Sequence, residues 1–172
     1  MRKKNTSIPI NSIVNEFSAG IAIERTSFKT LPNFEEAKQS HREDRHTFFL
    51  LENGTVHIEI DFQTYIIKPS SVIYMHPNQV HRIIEMENVT VSTWAINNEN
   101  LNPDYLRLLE GITPAKPLAL DKETFSIIFE LVSLCLKFSE RKNDRLYHSL
   151  EGVGKLSWGH WFDSLQHHLN VG

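Results

Sequence analysis

The feature that most constrains this chain is the strict alternation Val56-His57-Ile58-Glu59-Ile60-Asp61-Phe62. Successive side chains of an extended strand point to opposite faces, so Val56, Ile58, Ile60 and Phe62 share one face and His57, Glu59 and Asp61 the other. A sheet with one dry and one wet face satisfies that pattern. Comparable runs surround it: Gly20 to Arg25, Thr47 to Leu51, Tyr65 to Ile67, Val72 to Met75, His81 to Glu85 and Val89 to Trp94. Between them lie Asn53-Gly54, Asp61 to Thr64, Pro69-Ser70-Ser71 and His76-Pro77-Asn78-Gln79. These segments favour turns; Asn53-Gly54 is expected to make a tight one because both residues tolerate positive φ. Short strands at close spacing predict a barrel or a sandwich.

Beyond residue 100 the period changes from two to about 3.6. Asn102-Pro103-Asp104 opens a short helical pattern with Tyr105, Leu106, Leu108 and Leu109, stopped by Gly111. Pro114 and Pro117 mark a linker, and Asp121 is placed to cap a second helix with Glu123 in its first turn. That helix runs through Phe125, Ile128, Val132, Cys135 and Phe138, with Ile127, Leu131 and Leu134 widening its apolar side. Such a surface must pack on the barrel, on another helix or on a second copy of the chain. Trp158, Trp161, Phe162 and Leu165 suggest a last amphipathic helix from about Trp158 to Leu169. The expected division is a barrel with an N-terminal arm over residues 1–118 and a helical segment over 119–172.

Composition removes several function classes. A chain of 172 residues suits one domain with a full core. Its net charge of −3 lacks the basic excess of a protein that grips phosphates, and the one basic cluster, Arg2-Lys3-Lys4, reads as a polar tail. A single cysteine, Cys135, forms no internal disulfide and lies in an apolar helical run where cysteine acts as a small hydrophobe. No signal-like or membrane-spanning run is present, so the expected compartment is the cytoplasm, with no membrane partner.

Most of the nine histidines have plain explanations. His57 sits on the polar strand face, and His160, Asp163 and His167 share a face of the last expected helix, where solvation suffices. His148 and His168 have no partner that sequence identifies. His41 and His81 differ, because each stands where a strand meets a turn. The pattern H-x-E-x3-T at His41, Glu43 and Thr47, then Gly54, then P-x-Q-x-H ending at His81, resembles the two signature regions of the cupin superfamily. More narrowly, I-D-F-x-x-Y-x-I-x-x-x-S-V-I-Y-M-x-P-N-Q-V-H, from Ile60 to His81, resembles the N-terminal sensing domain of AraC-type transcriptional regulators. The likeness covers about residues 18–140.

The resemblance implies a mainly β fold with α structure after it: a cupin-like double-stranded β-helix barrel followed by two or three helices. Metal-binding cupins hold one ion with three histidines and a glutamate. Carried over by position, the first and last histidines become His41 and His81, while Glu43 stands in the second histidine's place and Thr47 in the glutamate's. Strand alternation should turn His46 to the other face. No metal, cofactor or catalytic residue is therefore expected. A sensing pocket edged by His41, Glu43, Thr47, Tyr74 and His81 is expected instead, binding a small-molecule effector. The resemblance further implies a homodimer through the helix from Asp121 to about Glu140, with Ile128, Leu131, Cys135 and Phe138 as its contacts. DNA would be reached only through a helix-turn-helix part that this chain does not carry. The alternative is a metal-dependent cupin enzyme, a small dioxygenase or isomerase, using His41, Glu43 and His81. A third is a structural dimer module with a filled barrel.

Overall fold

The structure, a computed structural model, describes residues 8–11, 21–30, 38–111 and 116–140. The expected last helix, with its His160, Asp163 and His167, lies outside the described residues, as does most of the loop after residue 30. In chain order the elements are β1 (Ile10–Asn11), β2 (Ile21–Thr30), β3 (Arg42–Glu43), β4 (His46–Ile60), β5 (Gln63–Ile67), β6 (Ser71–Met75), β7 (His81–Ile96), α1 (Pro103–Gly111), β8 (Leu118–Ala119) and α2 (Lys122–Glu140). A short 3-10 turn, Asn98–Asn100, precedes α1.

Two long antiparallel strands, β4 and β7, form the spine of the fold and pair along almost their whole length, from His46↔Ile96 to Ile60↔His81. The other edge of β4 is divided, its first half pairing with β6 and its second with β5. Strand β2 lies along the second half of β7, and β8 extends the sheet beyond β6. Strand β1 runs parallel to β3. Bridging of His41 to His81 then joins this small pair to the start of β7.

The two halves of β4 explain their two sequence patterns. Phe48 and Leu50 face outward into an apolar cluster with Val72, Tyr74, Trp94, Ile96, Leu109, Ile128 and Val132, under α1 and α2. Leu51 faces inward, into a second cluster with Ile58, Ile60, Ile67, Ile73, Met75, Met86 and Val89. Both faces of the first half are thus dry, which removes the alternation, whereas the outer face of the second half meets water and keeps it. Burying each large side chain of this kind stabilises the fold by roughly 1.5–3 kcal/mol.

Three local expectations are corrected. Asn53-Gly54 makes no hairpin; β4 passes straight through it with register shifts on either side, and Gly54 sits in a bulge at φ +83°. An added Cβ there would lie 2.4 Å from the Glu87 carbonyl oxygen, so only glycine lets the two spines approach this closely. The runs His81–Glu85 and Val89–Trp94 are one strand, with the irregularity absorbed at Asn88, φ +49°. Phe62 leaves the alternation altogether. Asp61 and Phe62, at φ +46° and +67°, are the two central residues of the β4–β5 hairpin, and Phe62 is 92% exposed.

The helices begin as expected. Pro103 opens α1, and the Asn102 side chain accepts the Asp104 amide at 2.9 Å. Asp121 caps α2, accepting the Thr124 amide at 2.9 Å and its hydroxyl at 2.6 Å. A polar clasp unread in the sequence fastens α2 to the sheet. Arg25 of β2 donates to Glu52 at 2.9 Å, to Ser92 at 3.1 Å and to Ser133 of α2 at 3.0 Å, and lies 4.8 Å from the Phe129 ring centre. Cys135 is buried on the inner side of α2, and burial pushes its thiol up to about 11, as befits a packing residue.

Candidate functional site

The turn before β7 is locked by two polar residues. The Gln79 amide donates to the His76 carbonyl oxygen at 2.9 Å, and the Gln79 side-chain oxygen accepts the His76 amide at 3.1 Å. Its amide nitrogen donates to Asp61 at 3.1 Å. Asp61 also accepts the Val80 amide at 3.1 Å and donates its own amide to the Val80 carbonyl at 2.9 Å. The tip of the β4–β5 hairpin is thereby tied to the P-N-Q turn, and the chain leaves that knot at His81. Proline and glutamine were visible in the motif; the partner, Asp61, was not.

His81 and His41 exchange two backbone hydrogen bonds of 3.0 Å each. A directly opposed antiparallel pair puts both side chains on one face. Their rings meet edge to face with centres 4.3 Å apart. Glu43, two residues beyond His41, returns to that same face. The pairing of His81 with Ile60, a member of the inner cluster, shows that the face is the inward one. His41, Glu43 and His81 are 5%, 7% and 4% exposed. Glu43 Oε1 lies 3.3 Å from His81 Nε2 and 3.8 Å from His41 Nε2, and the three donor atoms fall within 4.8 Å of one another.

Protons in this cluster follow from its partners. His41 Nδ1 lies 2.8 Å from the Gln39 carbonyl oxygen, which only accepts, so Nδ1 carries the hydrogen. Burial lowers the His41 pKa from its ordinary 6.5, chiefly by desolvation and further by His81, against the opposing pull of the Gln39 carbonyl and Glu43. His41 is therefore neutral at pH 7, and its Nε2 presents a bare lone pair towards Glu43.

The other expected site residues divide. Thr47 is fully buried on the inward wall beside its cross-strand partner Met75, with its hydroxyl donating to the Arg45 carbonyl at 3.1 Å. Tyr74 pairs with Phe48 and belongs to the outward cluster beneath the helices. Its expected place at the pocket edge is corrected, because one step along β6 changes the face. There Tyr74 serves a second buried histidine. His46 Nε2 lies 2.7 Å from the Asn98 side-chain oxygen and therefore donates, leaving Nδ1 to accept the Tyr74 hydroxyl at 2.7 Å. The ring of His76 stands edge-on to His46 at 5.4 Å. Both pKa values are lowered by burial. The turn of His46 to the opposite face was legible from strand parity; its partner, across 52 residues, was not.

On α2 the expected dimer contacts are also sorted. Ile128 and Cys135 are 3% and 7% exposed inside the outward cluster, and Phe138 packs against it. Ile128 and Cys135 are thus turned to the barrel of their own chain, and Phe138 is half-buried against it. Leu131 is half-buried, while Ile127 and Leu134 are 48% and 41% exposed. No helix among the described residues is long and apolar enough to cross a membrane.

A model of the AraC-like ligand binding domain family matches residues 31–153. Among solved structures, the AraC-like transcriptional activator CuxR is similar at a TM-score of 0.56 and 13% identity, covering 72% of this chain and 42% of CuxR. Apo ToxT from Vibrio cholerae is similar at a TM-score of 0.48 and 16% identity, covering 83% of this chain and 58% of ToxT. A cupin protein from Bacteroides fragilis has a TM-score of 0.38 and 11% identity, with 49% and 71% covered. No curated protein matches the sequence. At 13% identity the likeness to CuxR shows a shared fold, a barrel followed by helices, and the chain spans less than two thirds of either regulator. The family match takes in the paired histidines, the barrel spine and α2 together, over well more than half the chain, and this protein belongs to the AraC-like ligand-binding domain family.

Proposed function

We propose that this chain is the effector-sensing and dimerisation module of an AraC-type transcriptional regulator, with DNA contacted only through a separate domain. The observation that carries the reading is the inward cluster His41, Glu43 and His81 at one end of the barrel, inside a chain of this family. A structural core favours apolar residues at such positions, since buried polar groups cost stability unless partnered. A binding pocket uses them: a few converging polar groups orient a ligand whose body meets apolar walls. Here the walls are Ile60 and Met75, and the polar groups are the cluster and Thr47.

Signal transfer would follow a shift between two arrangements of barrel and helix. The Arg25 clasp and the packing of Ile128 and Val132 tie α2 to the sheet, so a change in the barrel wall moves the helix. Subunits would then pair through the outer stripe Ile127, Leu131 and Leu134, which recurs at helical spacing. A second copy covering that stripe would remove two of the large exposed apolar residues from water.

Thermal melts of the whole 172-residue chain, in EDTA, against a panel of monosaccharides, hydroxy acids and medium-chain carboxylates test the reading. A ligand at 100 times its Kd stabilises by about 2.7 kcal/mol, or about 5–11 °C for a chain of this size. The rise should vanish in Glu43→Gln and persist in Tyr74→Phe, measured against each variant's own baseline. A panel without effect, or a rise indifferent to Glu43→Gln, contradicts the proposal.

A further inference from the structure

We infer that His76 and His46 form a proton-operated latch on the turn that delivers His81 to the pocket, closed while both rings are neutral and opened by acid. The placing of lone pairs sets this up. The Asn78 backbone amide donates to His76 Nδ1 at 3.1 Å, so that nitrogen keeps its lone pair while the turn is made. His46 Nδ1 is likewise an acceptor, taking the Tyr74 hydroxyl at 2.7 Å, while its Nε2–H is spent on Asn98. Each ring can therefore gain a proton only at Nδ1, and only by changing the bond made there.

The two bonds respond differently to that proton. A hydroxyl can rotate from donor to acceptor, but a backbone N–H cannot. A proton on His76 thus leaves two donors facing each other, and the half-buried ring must leave the turn. His46, 1% exposed, stands edge-on to that ring at 5.4 Å, so two cations there repel. The other titratable groups set against the pair are Tyr74 of β6 and Glu110 of α1, whose charge opposes proton loss. Burial outweighs Glu110 at both rings. Asn98 and Ile96, the cross-strand partner of His46 on β7, are neutral, and Arg45 is paired with Asp44 at 3.0 Å.

Opening reaches the pocket by a short path. The His76 amide and carbonyl close the turn with Gln79, and Gln79 and Val80 are tied to Asp61 at the hairpin tip. One residue later, His81 exchanges both of its backbone bonds with His41. A turn released at His76 therefore frees His81 from the position that sets it beside His41 and Glu43. Proton and ligand then compete: acid withdraws His81, and a ligand held by His81 closes the turn and expels protons. The latch stands on this geometry, and its control of an effector rests on the sensing reading.

Hydrogen exchange of the ligand-free full chain, followed amide by amide by NMR from pH 7.5 to 5.5, is the test. In the open turn a histidine binds protons near its ordinary 6.5, and the opening constant then rises about tenfold per pH unit below that value. The Asp61, Gln79 and Val80 amides should lose about tenfold in protection, corrected for intrinsic rates, and exchange faster than the Leu50 amide within β4 at every pH. In His76→Asn the side-chain oxygen accepts the amide two residues on without titrating, so protection should hold at pH 5.5. His46→Gln, with the second cation gone, should show a smaller loss. Circular dichroism establishes that each variant is folded. Turn protection unchanged by acid in the parent chain, or an undiminished loss in either folded variant, overturns the latch. No ligand enters the measurement, so that result leaves the sensing reading standing.

Discussion

Replacing Tyr74 with phenylalanine separates a pocket wall from a structural core in one substitution. The Tyr74 hydroxyl donates at 2.7 Å to Nδ1 of His46, a ring only 1% exposed whose Nε2 is committed to Asn98. Tyr74→Phe removes one oxygen and keeps the ring, so packing against Phe48, at 4.9 Å between centres, survives. What is lost is the hydroxyl donor to the buried Nδ1. An unsatisfied buried acceptor costs about 1–3 kcal/mol, and in a chain of this length each kcal/mol lowers Tm by about 2–4 °C. Tm should therefore fall by about 2–12 °C in differential scanning calorimetry at pH 7.5, while effector affinity stays unchanged. An unchanged Tm with altered ligand affinity would refute the placement of Tyr74 behind the wall.

Further outcomes follow from other parts of the molecule. Burial lowers the pKa of His41, His46 and His76 below 6.5, so between that value and the folded pKa values the unfolded chain binds more protons. Stability must then drop as pH falls below about 6.5; a Tm unchanged from pH 7.5 to 5 contradicts this, and His46→Gln should flatten the slope. Ile127→Asp and Leu134→Asp should give folded monomers in sedimentation velocity, whereas Ile128→Asp, which buries a charge, should lose its cooperative melt. Gly54→Ala forces both positive φ and a backbone clash, and should cost at least about 1–3 kcal/mol in urea unfolding.

Much of the barrel was legible because half-buried strands write their faces into the sequence. Val56 to Ile60 gave one strand by alternation, and Ser71–Met75 and Gln63–Ile67 were bounded by turn residues. The continuous run at Thr47–Leu51 hid its parity, since both of its faces are dry, and Tyr74 was misplaced for the same reason: every residue of β6 is buried. Asn53-Gly54 misled because a bulge and a hairpin ask the same positive φ of glycine, and only the paired strand decides between them. In α2 the apolar residues exceed one face, so the sequence could not say which side met the barrel. His41, Glu43 and His81 were found by resemblance, but their convergence depends on a bridge across 40 residues and a turn tied down by Asp61. Such long-range pairings leave no local period.

The central claim is that the sheet sorts its buried histidines onto two faces with different tasks, His41 and His81 inward for binding and His46 outward for packing. Long-range 1H–15N spectra of the histidine rings at pH 7.5 test it directly, because the two nitrogen shifts report the tautomer. The structure predicts His41 as the neutral Nδ1–H form and His46 as the neutral Nε2–H form. A ligand that raises Tm in the panel should move the His41 and His81 nitrogens and leave His46 and His76 in place. An Nε2–H tautomer at His41, or ligand-induced shifts confined to other histidines, would contradict the account.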